Sequence, residues 1–116
     1  MNWAERLTVE YARVHTHPFN IACHLVGIPV ITTGCFLILL WVHPLAGLVC
    51  IAGGFASNFA GHHREGSVPA FATRAWYSPL AGPFWWGRQI FTLARTGRPW
   101  SPPAPQAAPP RERHTA

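Results

Sequence analysis

The chain has 116 residues, 9 of them basic and 4 acidic, with a formal net charge of +5. Every basic residue is arginine and every acidic one glutamate, and none of either lies between Val14 and His63; a soluble domain this small needs charge on its surface, so the uncharged run excludes an ordinary water-soluble fold. The arginines flank that run and form no basic stripe, which argues against nucleic-acid binding, and the absence of aspartate excludes a Ser/His/Asp triad.

The opening residues, MNWAERLTVEYARVH, carry two glutamates and no early apolar core, so no cleavable signal peptide is expected. Residues 2–16 predict an amphipathic helix, with Trp3, Leu7 and Tyr11 or Val14 at helical spacing. Pro18 suits the first turn of a new helix, where its missing N–H costs little. From Asn20 to Val42, a mostly apolar and uncharged run of about 23 residues rising 1.5 Å each covers roughly 34 Å, enough to cross a hydrocarbon core of about 30 Å. Gly27 and Pro29 fall near the start of this span, where neighbours must satisfy any freed carbonyl.

His43–Pro44 predicts a short turn, and Pro44–Ala60 a second span near the lower length limit. Its small residues Gly47, Gly53, Gly54, Ala56 and Ser57 suit close approach to another helix. Arginines before and after the pair place both termini in the cytoplasm by the positive-inside rule. Beyond the hairpin, Trp76, Tyr77, Phe84, Trp85 and Trp86 stand among arginines and read as an interfacial belt, with a short amphipathic helix at 83–96 lying on the membrane. The tail from Pro99 is Pro/Ala-rich and is expected to be disordered.

The fold class is therefore all-α: an integral membrane helical hairpin of two or more spans with flanking amphipathic helices. A membrane-embedded domain at 1–98 precedes the tail at 99–116. Cys23, Cys35 and Cys50 all lie in the apolar zone without CxxC spacing and read as small buried hydrophobes. Two spans make a thin bundle, which self-association into a homo-oligomer would thicken.

The hairpin topology has a consequence for the histidines. His15, His17 and His24 lie at the entrance of the first span, and His62 and His63 at the exit of the second, so all five come to one side of the membrane. His43 belongs to the opposite turn and reads as a loop residue. Several imidazoles with few carboxylates suit iron, zinc or copper better than magnesium or calcium. Asn20 and His24 share a helical face, as Glu65 does with His62; Asn20 suits orienting a histidine, and Glu65 could add a carboxylate.

Tyr11, His15, His17–Pro18, Asn20, His24, Gly27 and Pro29, followed by Gly61–His62, Glu65 and Pro69, resemble the pattern of a family of small membrane proteins. That family is typified by the yeast iron-dependent 2-hydroxy fatty acid dioxygenase of fatty acid α-oxidation. The resemblance covers about residues 8–97. It implies an enzyme of lipid metabolism in the endoplasmic reticulum or the bacterial inner membrane, using Fe(II) and O2 to shorten a 2-hydroxy fatty acid by one carbon. It implies His15, His24 and His62 as catalytic, metal-holding residues, with Asn20 and Glu65 in support. His62 stands three residues before Glu65 where the family commonly has four, so His62 and His63 are both candidate ligands. Gly82 is followed by Pro83 where the family commonly has aspartate. Arg64 or Arg74 would attract the substrate carboxylate. The other readings are a metal- or haem-binding protein without turnover, with His24 and His62 as axial ligands, and a structural membrane protein whose histidines sit at headgroup level.

Overall fold

The computed structural model describes residues 2–69 and 77–105, and everything below concerns these residues. They form four α-helices and no strand: α1 (Trp3–Ala12), α2 (Pro18–Leu39), α3 (Pro44–Glu65) and, after a 3₁₀ turn at Ser78–Leu80, α4 (Ala81–Thr96).

α1 begins with a capping box: Asn2 accepts from the Glu5 backbone N–H, and the Glu5 carboxylate accepts from that of Asn2. It ends at Ala12, short of the expected residue 16. The chain tightens there through bonds from Val14 N–H to the Tyr11 carbonyl and from His15 N–H to that of Ala12. This early turn swings His15 inward and leaves carbonyls free for side chains.

α2 and α3 are the hairpin. Each is long and apolar enough to cross a membrane, with mean hydropathies of 2.0 and 1.3. His17 caps α2 by accepting from Phe19 N–H, ahead of Pro18 in the first turn, as the sequence led one to expect. Pro29 lies inside α2 and cannot donate to the Leu25 carbonyl one turn back. Trp86 supplies the missing donor, its indole N–H reaching that carbonyl at 2.9 Å. At the far turn, His43 caps α3 by accepting from Ala46 N–H. α3 runs five residues past the expected Ala60 and stops where Gly66 adopts a left-handed conformation (φ 75°). His63 and Arg64 in its last turn favour the negative end of the helix dipole.

Close packing of the hairpin rests on small residues spaced by seven. Gly27 and Gly34 on α2 face Gly54 and Gly47 on α3, and Asn20 faces Gly61. A Cβ on Gly34 would lie 2.6 Å from the Gly47 carbonyl oxygen, and one on Gly61 would lie 2.9 Å from Asn20 Cα. The backbones meet where any side chain would separate them. Of the other small residues named above, Ser57 donates to the Cys23 carbonyl at 3.0 Å, whereas Gly53 faces open space.

The outer surface of the hairpin is apolar and exposed, from Leu39, Leu40, Trp41 and Val42 at the turn to Leu45, Leu48 and Val49. Contiguous apolar surface of this kind marks a lipid or partner contact. The compact core lies at the opposite end, where Tyr11, Ala12, Ile21, Ala81 and Trp85 join α1 and α4 to the start of α2. Trp85 is thus not part of an interfacial belt: it is 0 % exposed, because Ala81, Gly82, Trp85 and Gln89 share the inward face of α4. Trp100 also packs on this core, and its backbone exchanges two hydrogen bonds with the fully buried Gln89 carboxamide (2.9 and 3.0 Å). Arg88 lies over the Trp100 ring at 4.5 Å.

Candidate metal centre

Three elements each bring one histidine to a common point. His15 arrives on the turn after α1, His24 from the second turn of α2, and His62 from the last turn of α3. All three are buried, and one ligand atom from each lies within 4.8 Å of the others. His15 Nε2 and His24 Nε2 are 3.0 Å apart.

The rings are oriented by what their other nitrogens meet. His15 Nδ1–H donates to the Tyr11 carbonyl (2.6 Å), and His24 Nδ1–H donates to the Asn20 carbonyl (3.0 Å). His62 Nδ1 pairs with Ser67 Oγ (2.9 Å), whose hydroxyl in turn donates to the Val14 carbonyl (3.2 Å). A proton held on each Nδ1 leaves each Nε2 as a bare lone pair, the form that ligates metal. Lone pairs facing each other at 3.0 Å repel unless a cation or a shared proton lies between them. That spacing is also about what two nitrogens show when each lies about 2.1 Å from one ion at a right angle. The donor set therefore fits a metal ion.

Burial, reinforced by neighbouring His24 and His62, depresses the His15 pKa to about 3, so the ring is neutral and ready to ligate at pH 7. Tyr11 stacks on it at 4.1 Å between centroids, and burial pushes the Tyr11 phenol above its ordinary value. Trp85 closes the inner wall, 5.4 Å from the His15 ring and 6.2 Å from that of His24.

Glu65 does not join the cluster. Its carboxylate accepts from Thr16 N–H and Oγ–H, His17 N–H and the Asn20 amide, bolting the end of α3 to the turn that carries His15. Asn20, 0 % exposed, also donates to the Val14 carbonyl, so its side chain braces the site while its backbone carbonyl orients His24. Of the two adjacent histidines on α3, His62 faces the cluster and His63 is exposed. His17 serves as a helix cap, and Arg64 is exposed at the end of α3. Arg74 lies outside the described residues. A haem held between His24 and His62 would need rings about 6 Å apart across the porphyrin, given iron–nitrogen bonds of about 2 Å. Their centroids are 4.9 Å apart and converge with His15 on one point.

A groove opens from the cluster and runs between α2 and α3, lined beyond the histidines by Ile28, Ile31, Thr32, Phe55, Asn58 and Phe59. Gly82 and Pro83 of α4 also line it. Among the residues around the site, Ser67, Trp85, Thr16 and Asn58 had not been read as parts of it. Only the helical spacing of Trp85 with Ala81, and of Asn58 with His62, would have pointed to them.

Fold and site together define an all-helical protein with two membrane-length helices and a buried histidine cluster able to hold a metal ion. The chain belongs to the 2-hydroxy-palmitic acid dioxygenase Mpo1-like family, whose model matches residues 1–93. No curated protein and no solved structure matches it.

Proposed function

We propose that this protein is an Fe(II)-dependent dioxygenase that shortens a 2-hydroxy fatty acid, or a closely related lipid-derived acid, by one carbon at the membrane face. The observation that carries this reading is the convergence of three neutral, pre-oriented imidazoles at the mouth of an apolar groove between two membrane-length helices. Membership of the family supports the substrate class and the use of O2. The net reaction balances as R–CH(OH)–COOH and O2 giving R–COOH, CO2 and water.

His15, His24 and His62 would hold the iron, which when bound supplies O2 activation and open positions for the substrate headgroup. The protein's own part is placement. Tyr11, Asn20 and Ser67 fix the imidazole rings; Glu65 fixes the loop that carries His15. Ile28, Ile31 and Phe55 give the acyl chain an apolar path, while Trp85 and Tyr11 keep bulk water from the inner side. Arg64, at the water end of α3, is a candidate to attract the carboxylate, as is Arg74. In this reading both termini face the cytoplasm, consistent with arginines before and after the hairpin.

The test is to load detergent-purified protein with iron under argon, add 2-hydroxypalmitate, admit O2, and follow oxygen uptake and the chain length of the product. Uptake with formation of the acid one carbon shorter is expected; neither with this nor with other 2-hydroxy acids would overturn the reading.

A further inference from the structure

One polar side chain in the groove has no structural employment. Asn58 lies on α3 one turn before His62, on the same helical face, and is 8 % exposed. It lines the groove together with the three histidines. Its Oδ1 is buried without a hydrogen-bond partner, and its amide bonds to none of the described residues. Thr32 differs, because its hydroxyl donates to the Ile28 carbonyl at 2.8 Å. The amide Nδ2 is the donor without a partner among the described residues, and a ligand in the groove would satisfy it.

The packing says which end of the amide is offered. A Cβ built on Gly27 would lie 2.9 Å from Asn58 Cγ and would collide with Oδ1, so Oδ1 is pressed against α2 at a position only glycine allows. With Oδ1 held there, Nδ2 is the end of the carboxamide left for a ligand, as a donor. Its place one turn from His62 suits a ligand oxygen. One helical turn is about 5.4 Å, close to the sum of a metal–oxygen bond and a hydrogen bond.

We infer that Asn58 donates from Nδ2 to the 2-hydroxyl oxygen of the substrate and sets the preference for 2-hydroxy acids over unsubstituted ones. This rests on the function proposed above. The order of atoms selects the hydroxyl over the carboxylate. With the acyl chain in the apolar groove, C1 is outermost towards water and the arginines, and C2 is the polar-bearing carbon nearest Asn58. A neutral amide also matches a neutral oxygen, whereas a carboxylate at this depth would call for arginine. A site built around a hydroxyl disfavours the analogue that lacks it, because its own donor is then left unpaired.

The experiment measures binding without turnover. Iron-loaded wild type, Asn58→Ala and Asn58→Ser in detergent under argon are titrated separately with 2-hydroxypalmitate and with palmitate, and iron content is determined for each. Wild type should bind the hydroxy acid more tightly. Asn58→Ala should reduce that preference about 10-fold or more, through weaker binding of the hydroxy acid with palmitate little changed. Asn58→Ser, which keeps a short donor, should fall between. A preference unchanged in both variants at full iron content overturns the role of Asn58 while leaving the dioxygenase reading intact. Wild type that binds neither acid overturns that reading and this inference with it.

Discussion

His15 Nε2 and His24 Nε2 face each other at 3.0 Å while the Nδ1 of each ring is committed to a backbone carbonyl. The two rings come from different elements, the turn after α1 and the second turn of α2, so tertiary folding creates the contact. With His62 they form a site whose protonation and orientation are decided before any ligand arrives.

Replacing any one of the three should remove the metal. His15→Ala, His24→Ala and His62→Ala are each expected to lower bound iron from about one per chain to below about a tenth of that, since two imidazoles seldom retain an ion that three were placed to hold. His63→Ala, at an exposed position next to His62, should keep its full content. Elemental analysis of the purified variants decides this, and equal metal in all four would refute the assignment.

Glu65 should matter for affinity without being a ligand. Glu65→Ala strands the donors of Thr16, His17 and Asn20, and a loss of about 1–3 kcal/mol in stability is expected. Iron affinity should fall about 10- to 100-fold, the usual cost of releasing a ligand's support. Thermal unfolding and iron titration test the two effects separately; unchanged affinity with lowered stability would confine Glu65 to the fold.

The glycine contacts predict a contrast within one helix. Gly61→Ala places a methyl 2.9 Å from Asn20 Cα and should destabilise by about 1–3 kcal/mol, with loss of metal, because it pries α3 from α2 beside His62. Gly53→Ala meets nothing within 4 Å and should be neutral, or stabilising by about 0.5–1 kcal/mol through helix propensity. Similar unfolding midpoints for the two variants would contradict the packing described.

The metal-free protein should weaken in acid. His15 has a folded pKa of about 3 against an ordinary 6.5, so between those values the unfolded chain binds a proton that the folded one refuses. Its contribution is fully present above about pH 6.5 and is lost progressively as pH falls towards 3. Unfolding midpoints of the apo form should therefore drop between pH 7 and pH 5, and drop less in His15→Asn. An equal drop in the two proteins would show that His15 does not carry the effect.

Much of this was legible in the residues. The uncharged run from Val14 to His63 was enough to read a hairpin, and the hairpin was enough to bring His15 and His24 level with the Gly61–Glu65 segment. The choice between His62 and His63 was not, because adjacent residues on a helix differ by about 100° and the phase depends on which face packs. That phase is set by Gly47, Gly54 and Gly61, a repeat of seven visible in the sequence once the helix is taken beyond Ala60. Trp85 was misplaced for a related reason. Aromatics beside arginines resemble a membrane belt, and only the packing of α4 on α1 shows that this one faces inward. Glu65 reads as supporting the cluster because it shares a face with His62, but which donors of the Thr16–Asn20 segment its oxygens accept from depends on tertiary contacts.

Gln89 and Trp100 have one more consequence. Family similarity stops at residue 93, yet the only hydrogen-bond partner found for the Gln89 side chain among the described residues lies seven residues further on. A chain trimmed to the similar region would uncover the core on the side where Trp100 now packs, and would take from the Gln89 carboxamide both of its hydrogen bonds to the Trp100 backbone. The boundary of the ancestry and the boundary of the folded object are different places, and a shortened version made for structural work should run past Trp100.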